Sequence, residues 1–290
     1  MKLIKVRLLK TLDEYRACER IQMKVWGSLA AGSELLSVTQ KYGGAVVGAL
    51  AGRQVVGFIY AFLARRHGTL IHWSHMMAVE KRYRDKGLGL RMKLAHRTVA
   101  LAQGIRSICW TYDPLQSRNA TLNIRRLRAH AEEYIPNCYG RFQSLIEKGL
   151  PSDRLVVNWR LTAPVAPRRS DEHLISSSQD CPLVNETRRN DSGFLENRRI
   201  RFGLRERLLR VEIPANTDDM RRHAKPLARK WRLETRRIFL TYFHAGYRVL
   251  DFLPPRHPLP EARCYYLLGR NSKRRERSSE AALPRARGST

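Results

Sequence analysis

A mixed α/β fold with a C-terminal α/β extension is predicted for this 290-residue chain. Three observations predict it. A period-two strand and a capped helix open the chain, three apolar runs follow with short turns between them, and helical and strand periods then alternate up to residue 161.

The elements follow in order. Ile4, Val6 and Leu8 alternate with charged residues, as in a half-buried strand. Thr11-Leu12-Asp13-Glu14 has capping-box spacing and leads into a helix with Leu12, Tyr15, Cys18, Ile21 and Val25 on one face. Ser28–Tyr42 reads as a loop. Ala45–Ala51 and Val55–Leu63 are strands joined by the hairpin turn Gly52-Arg53-Gln54. Arg65–Gly68 is a second turn, and Leu70–Val79 a third strand of the meander. Beyond it, Leu88, Met92, Leu94, Ala95, Thr98, Val99 and Ala102 mark a helix, with Gly104 suited to its C′ position. Ser107–Tyr112 is a strand, a helix starts near Asn119, and Leu155–Leu161 is a late strand. The order β-α-β-β-β-α-β-α-β makes residues 1–161 one mixed unit.

Thr162–Asn190 is rich in Ser, Pro, Arg and Asp and shows no period, so residues 162–193 are expected to be a linker or long loop. Residues 194–269 form a second α/β segment. Its strands are Leu208–Ile213, Tyr247–Leu253 and Cys264–Leu268, and its helices lie across Asp218–His244 with Trp231, Phe239, Leu240 and Phe243 as the core stripe. Residues 270–290 are basic, polar and expected to be disordered.

Charge limits the choice of partners. Lys and Arg number 55 against 26 Asp and Glu, a formal +29, and the excess is +16 in residues 1–161 and +13 beyond. No dense basic run interleaved with aromatics appears in the folded segments, so nucleic acid is a partner the charge allows without favouring. Five widely spaced cysteines with no C-x-x-C pair supply neither a zinc site nor a disulfide framework and suit a reducing compartment. Charges interrupt the first residues, Met1-Lys2-Leu3-Ile4-Lys5, and no run approaches about 18 apolar residues. A cytoplasmic protein without a membrane span is expected.

The chemistry is concentrated in Arg84-Asp85-Lys86-Gly87-Leu88-Gly89, an Arg-x-x-Gly-x-Gly pattern between a strand and a helix. Glycines let main chain approach phosphate oxygens without a Cβ clash. The first N–H groups of the following helix point at the bound anion, and Arg84 and Lys86 add charge. The Rossmann pattern and the Walker Gly-Lys-Ser/Thr are both absent.

With this loop in its strand–helix setting, residues 1–161 resemble the GNAT superfamily of N-acyltransferases. They are similar in particular to an uncharacterised group of its predicted acetyltransferases through His72-Trp73-Ser74-His75-Met76-Met77-Ala78-Val79 and Trp110-Thr111-Tyr112-Asp113-Pro114-Leu115-Gln116-Ser117-Arg118-Asn119-Ala120. The resemblance implies acetyl-CoA or another acyl-CoA as acyl donor and an amine as acceptor. It implies that Met77, Ala78 and Val79 offer free main-chain groups to the pantetheine arm. The pyrophosphate would then lie on Arg84, Asp85, Lys86, Gly87, Leu88 and Gly89, and Asn119 would face the pantetheine side. A non-catalytic acyl-CoA-binding protein is the alternative on the same fold.

Acyl transfer to an amine needs a base for the amine and an acid for the thiolate. His75, placed by period two on the same face as Val79, and Glu80, just beyond the strand, are the candidate bases. The resemblance implies a tyrosine near Asn123–Arg126, where none occurs. Arg128 stands where that helix would end on glycine. Tyr139, with Tyr112 as a second option, is the candidate acid. The second segment carries no motif of its own, although Ala245-Gly246-Tyr247-Arg248-Val249-Leu250-Asp251-Phe252 echoes the closing half of the first unit, so a partial repeat is one reading and a cap over the acceptor site another.

Overall fold

The computed structural model describes residues 3–28, 31–140, 149–162, 180–255 and 262–270. Residues 163–179 of the expected linker and the tail 271–290 lie outside the described residues.

The capping box forms as its spacing requires. Glu14 N donates to Thr11 Oγ1 at 3.3 Å and Thr11 N to Glu14 Oε2 at 3.4 Å. Helix α1 (Leu12–Trp26) starts there and ends on Gly27, whose φ of 73° only glycine adopts without penalty. Arg7, on strand β1 (Ile4–Leu8), grips the capping carboxylate and holds it below the usual carboxylate range, so one residue links strand and helix. Thr11→Ala is expected to lower stability by about 1 kcal/mol, read as a shift in the urea midpoint.

The expected loop Ser28–Tyr42 contains a second helix, α2 (Ser33–Lys41). Its cap, Gly32, has no side-chain bond, and Leu36 is its one buried residue while Leu35 and Val38 are exposed. A helix docked by a single side chain leaves little periodicity to read.

Strands β2 (Ala45–Ala51), β3 (Gln54–Arg66) and β4 (Thr69–Val79) form the antiparallel meander. Helix α3 (Leu88–Ala102) returns the chain to β5 (Ser107–Tyr112), which runs parallel to β4. The next helix, α4, begins at Ser117, two residues ahead of the expected Asn119, and continues as a π-helical turn over Thr121–Arg126. It ends at Arg128, left-handed at φ 57° in the place where glycine was missing.

One strand of the first unit escaped prediction. β6 (His130–Ile135) is bulged between Ala131 and Glu133 where it pairs with β7 (Arg154–Arg160), so its apolar alternation is broken.

The second segment joins the same sheet. β8 (Asn185–Arg189), inside the expected linker, forms a hairpin with β9 (Leu195–Ile200). β10 (Leu208–Ile213), α5 (Thr217–His223), α6 (Lys225–His244), β11 (Tyr247–Leu253) and β12 (Cys264–Arg270) follow. Of the expected helical stripe, Trp231 and Phe239 are buried, Phe243 is half-buried, and Leu240 is exposed because it points off the docking face. Ten of the strands form one sheet in the order β1-β2-β3-β4-β5-β7-β6-β11-β12-β10, and β8 and β9 form a separate two-stranded sheet. No described helix is long and apolar enough to cross a membrane.

The six strands at the far end of this sheet are arranged symmetrically. In β5-β7-β6 and in β10-β12-β11, the outer strand pairs antiparallel with the third in sequence, which pairs antiparallel with the second. The two triplets meet at Ala131↔Val249. A bulge follows each of these residues, before Glu133 and before Asp251, and a left-handed residue, Arg128 or Gly246, precedes each by three positions.

Candidate acyl-CoA site

β4 and β5 form a fork. Their ladder consists of His72↔Ile108 and Trp73↔Cys109, and past that point no β5 residue is registered against Ser74–Val79. β4 stays paired with β3 on its other side out to Val79. Successive residues of an antiparallel strand turn their main-chain groups to opposite neighbours, so those of Ala78 bond to β3 while those of Met77 and Val79 face the gap with no ladder partner among the described residues. Helices α3 and α1 close the two faces of the sheet here: Met77 and Val79 pack toward Leu88 and Met92, while Met76 and Ala78 pack toward Tyr15, Ile21 and Leu36.

The glycine loop stands at the open end of this fork. A 3-10 turn, Lys81–Tyr83, leads from the end of β4 to Arg84, whose Nε donates to Val79 O at 2.9 Å. Asp85 and Gly87 are both left-handed, at φ 61° and 71°. Gly87 is the N-cap of α3 and its carbonyl receives Arg91 N at 3.1 Å, so the N–H groups of Leu88, Gly89 and Leu90 have no partner within the helix. A Cβ on Gly87 would meet nothing within 4 Å, so the loop surface is open there. A Cβ on Gly89 would stand 3.3 Å from Leu122 Cδ2 and 3.7 Å from Met77 Cε, so this glycine sets the close approach of α3 to α4 and β4. Arg118, at the start of α4, reaches Asp85 at 3.2 Å across the mouth, and Lys86 Nζ lies 5.8 Å from the Tyr83 ring centroid. Asn119 beside Arg118 is half-buried. The sequence-read residues Arg84, Asp85, Lys86, Gly87, Leu88 and Gly89 thus stand directly beyond Met77, Ala78 and Val79, and the Arg118–Asp85 contact brings the start of α4, with Asn119, to the same end of the fork.

His75 is a different matter. β4 carries one residue more than β3 between Met76↔Tyr60 and Ser74↔Ala61, and His75 is that residue. The bulge breaks the period-two argument. Ser74 faces α3, His75 and Met76 both face the other way, and Met77 faces α3 again. His75 is therefore on the face opposite Val79, with its ring 5.9 Å from Phe62 and 6.1 Å from Tyr60 by centroids. It is open to solvent at its edge, yet partial burial beside these rings lowers its pKa below the ordinary histidine value.

On β5 the residues alternate regularly. Trp110 faces α3, so Thr111 faces the side of His75. Tyr139, from the turn after β6, places its hydroxyl 2.8 Å from Thr111 Oγ1. His75 and Tyr139 thus flank the fork from its two prongs, on one face. Tyr112, the second option for an acid, is buried with its hydroxyl 3.1 Å from that of Tyr266, and burial raises its pKa strongly. It is a core residue, closed off from the cleft. Glu80 is held by Lys24 at 3.4 Å and Arg82 at 3.3 Å, facing α1 away from the fork.

Sequence reading missed the polar groups buried beneath the fork. His72 and His96 stack with ring nitrogens 3.0 Å apart, and His72 Nε2 lies 2.9 Å from Gly43 O. Burial lowers the pKa of both, and in His96 the charges of Lys93 and His72 add to it. The unfolded chain takes up these protons near the ordinary value of about 6.5, while the native protein resists them. Stability is thus complete above that value and declines as pH falls below it, by up to about 1.4 kcal/mol per group per pH unit. Melting temperatures measured from pH 7.5 to 5.5 (an illustrative window of roughly one unit either side of the histidine value) are expected to fall in the wild type and to fall less in His96→Gln.

No family model matches this chain, and no curated protein does. Solved structures do. An acetyltransferase of the GNAT family from Streptococcus pneumoniae is 14% identical over 54% of this chain and 98% of its own, with a TM-score of 0.44. The ribosomal-protein-S18-alanine N-acetyltransferase from Escherichia coli is 11% identical over 57% and 98%, also at 0.44. A putative acetyltransferase from Salmonella typhimurium, solved with acetyl-CoA, is 14% identical over 58% and 98%, again at 0.44. The likeness is one of fold alone.

Proposed function

We propose that this chain is an acyl-CoA-dependent N-acyltransferase acting on an amine. The observation that carries the reading is the fork: main chain of Met77 and Val79 turned toward the gap and opening directly onto a left-handed glycine loop at the N-terminus of a fifteen-residue helix. An extended polar arm with a pyrophosphate at its end has complementary chemistry. Its amides pair with strand edge, and its anion takes the N–H groups and positive end of α3. Gly87 gives the anion access, Gly89 lets α3 approach α4 and β4, Arg84 and Lys86 add charge, and Asn119 lines the pantetheine side.

The acceptor amine enters from the opposite face, where His75 is the base in this reading. Its lowered pKa leaves it neutral, and so able to accept a proton, across the physiological range. Tyr139, bound to Thr111, offers a hydroxyl on the other prong to orient the amine, and Glu80 sets the charge at the edge of that face. Residues 194–269 are assigned as a partial repeat of the closing half of the first unit, on the matched strand order, bulges and left-handed residues of the two triplets. They carry no second glycine loop, so one acyl-CoA is expected per chain.

Calorimetric titration with acetyl-CoA tests the reading. Binding at one site per chain, lost in Gly87→Glu, supports it, and unchanged affinity in that variant would sink the assignment of the loop. Thiol release with a panel of amines then separates an enzyme from a protein that only binds acyl-CoA.

A further inference from the structure

Amide formation from a thioester moves two protons: the amine loses one and the departing thiolate gains one. His75 and Tyr139 both lie on the amine side of the sheet. The region Asn123–Arg126 carries no tyrosine, and Asn123, Ile124 and Arg125 there are buried. The thiolate side, toward α3, has a different polar group.

Lys93 projects from the inner face of α3 and is only 2% exposed. Its Nζ donates to Ser74 Oγ at 3.1 Å and stands 3.5 Å from the centroid of the Trp110 ring. Ser74 is the first β4 residue beyond the pairs with β5, and Trp110 is the first β5 residue beyond them. The lysine nitrogen therefore bridges the two prongs at the base of the fork. No carboxylate contributes to its environment, so burial acts unopposed and brings its pKa down to about 7. The titratable groups around it are His96, one turn along α3, and His72 on β4 beyond that; neither brings negative charge. An ammonium in such a place is costly to bury. A lysine that titrates near neutrality gives up its proton readily, which an ordinary lysine does not. Ser74 Oγ accepts from Lys93, which leaves the serine O–H as a donor at the edge of the fork.

We infer that Lys93, acting through the Ser74 hydroxyl, is the proton source for the departing thiolate. The inference rests on the acyltransferase reading above. The amine nitrogen bonds to the thioester carbonyl carbon, and the C–S bond breaks with its electron pair on sulfur. Ser74 hands its hydroxyl proton to the sulfur and takes one from Lys93, while the amine proton passes to His75. Solvent then reprotonates Lys93 and deprotonates His75. Ser74 touches the leaving group, and Lys93 supplies it from behind.

Thiol release from acetyl-CoA, with hydroxylamine as the probe amine, is measured against pH for the wild type and for Lys93→Met, Lys93→Arg and Ser74→Ala, beside calorimetric titration of acetyl-CoA. Wild-type turnover is expected to decline as pH rises through the neutral range, because the donor is then deprotonated. Lys93→Met and Ser74→Ala are each expected to lower kcat about 100-fold and to lose that basic limb. Acetyl-CoA affinity should stay within about threefold. Lys93→Arg keeps the charge but holds its proton at every accessible pH, so it too is expected to lose turnover. Wild-type kcat in Lys93→Arg overturns the inference, and so does wild-type kcat in Ser74→Ala, each variant being checked for folding by its melting temperature. Survival of the basic limb in Lys93→Met overturns it as well. A wild-type protein that fails to bind acetyl-CoA, or binds it without releasing thiol, overturns the acyltransferase reading itself and the inference with it.

Discussion

Gly87→Glu is expected to abolish acetyl-CoA binding, weakening it by at least about 100-fold, or about 2.7 kcal/mol. Two effects add. Gly87 holds φ at 71°, where a residue with a Cβ loses about 1–2 kcal/mol. Nothing lies within 4 Å of the position its Cβ would take, so the new carboxylate projects into the space where the pyrophosphate would rest and meets like charge there. Gly104 supplies a matched control. It follows the other end of α3, has φ of 75° and equally open surroundings. Gly104→Glu is therefore expected to incur similar backbone strain while leaving acetyl-CoA affinity unchanged. Equal loss of binding in both variants would mean that strain in α3, and not the anion site, accounts for the effect.

Asp113→Asn is expected to destabilise the protein by about 3–5 kcal/mol, the largest change in stability predicted for a single side chain. Asp113 follows β5 and is buried, and burial alone would raise its pKa. The Arg232 guanidinium, bound through two bonds of 2.6 and 2.8 Å, outweighs that, with Arg221 adding to it, and holds the carboxyl far below the usual range. The side chains of Arg232 and Arg221 are themselves 0% and 4% exposed. Removing the carboxylate charge leaves two guanidiniums in the core with no compensating charge on that residue. An asparagine keeps the shape and the bond from Leu115 N, so the loss reports charge rather than packing. Urea denaturation measures it, with Asp218→Asn, on the exposed end of α5, as a control expected to change stability by a few tenths of a kcal/mol. A loss below about 1 kcal/mol would show that the pair is replaceable by neutral hydrogen bonds.

The same ion pair explains why the second segment belongs to the architecture of the site. Arg221 and Arg232 come from α5 and α6, and Asp113 starts the loop that leads to Ser117 and Asn119. Ser117 Oγ donates to Ala215 O at 2.6 Å, and Gln116 Nε2 to Thr217 Oγ1 at 3.4 Å. The loop that leads to Asn119 is thus moored on residues about a hundred positions later in the chain. Asp153 with Arg236, and Asp251 with Arg125 and Arg128, tie the same two segments together from both directions.

What the sequence determined by itself is local. The capping box at Thr11 and Glu14, the strands Ala45–Ala51, Ser107–Tyr112 and Leu208–Ile213, helix Leu88–Ala102 and the left-handed glycine loop all follow from interactions within a few residues, which periodicity and backbone preference record directly. The tertiary structure decided the rest. Period two assigned His75 to the face of Val79, and a bulge defined only by counting β4 against β3 moved it to the other. β6 was hidden by another bulge, and the continuity of the sheet depends on Ala131 meeting Val249, a pairing no local pattern announces. The apolar face read from Leu88, Met92, Ala95 and Val99 does not include Lys93. That lysine became a buried cation only because β4 and β5 separate beneath it and leave a hydroxyl and an indole face as its partners. Faces, forks and buried charges are properties of two or more segments at once, and a single strand of sequence records only its own half of each.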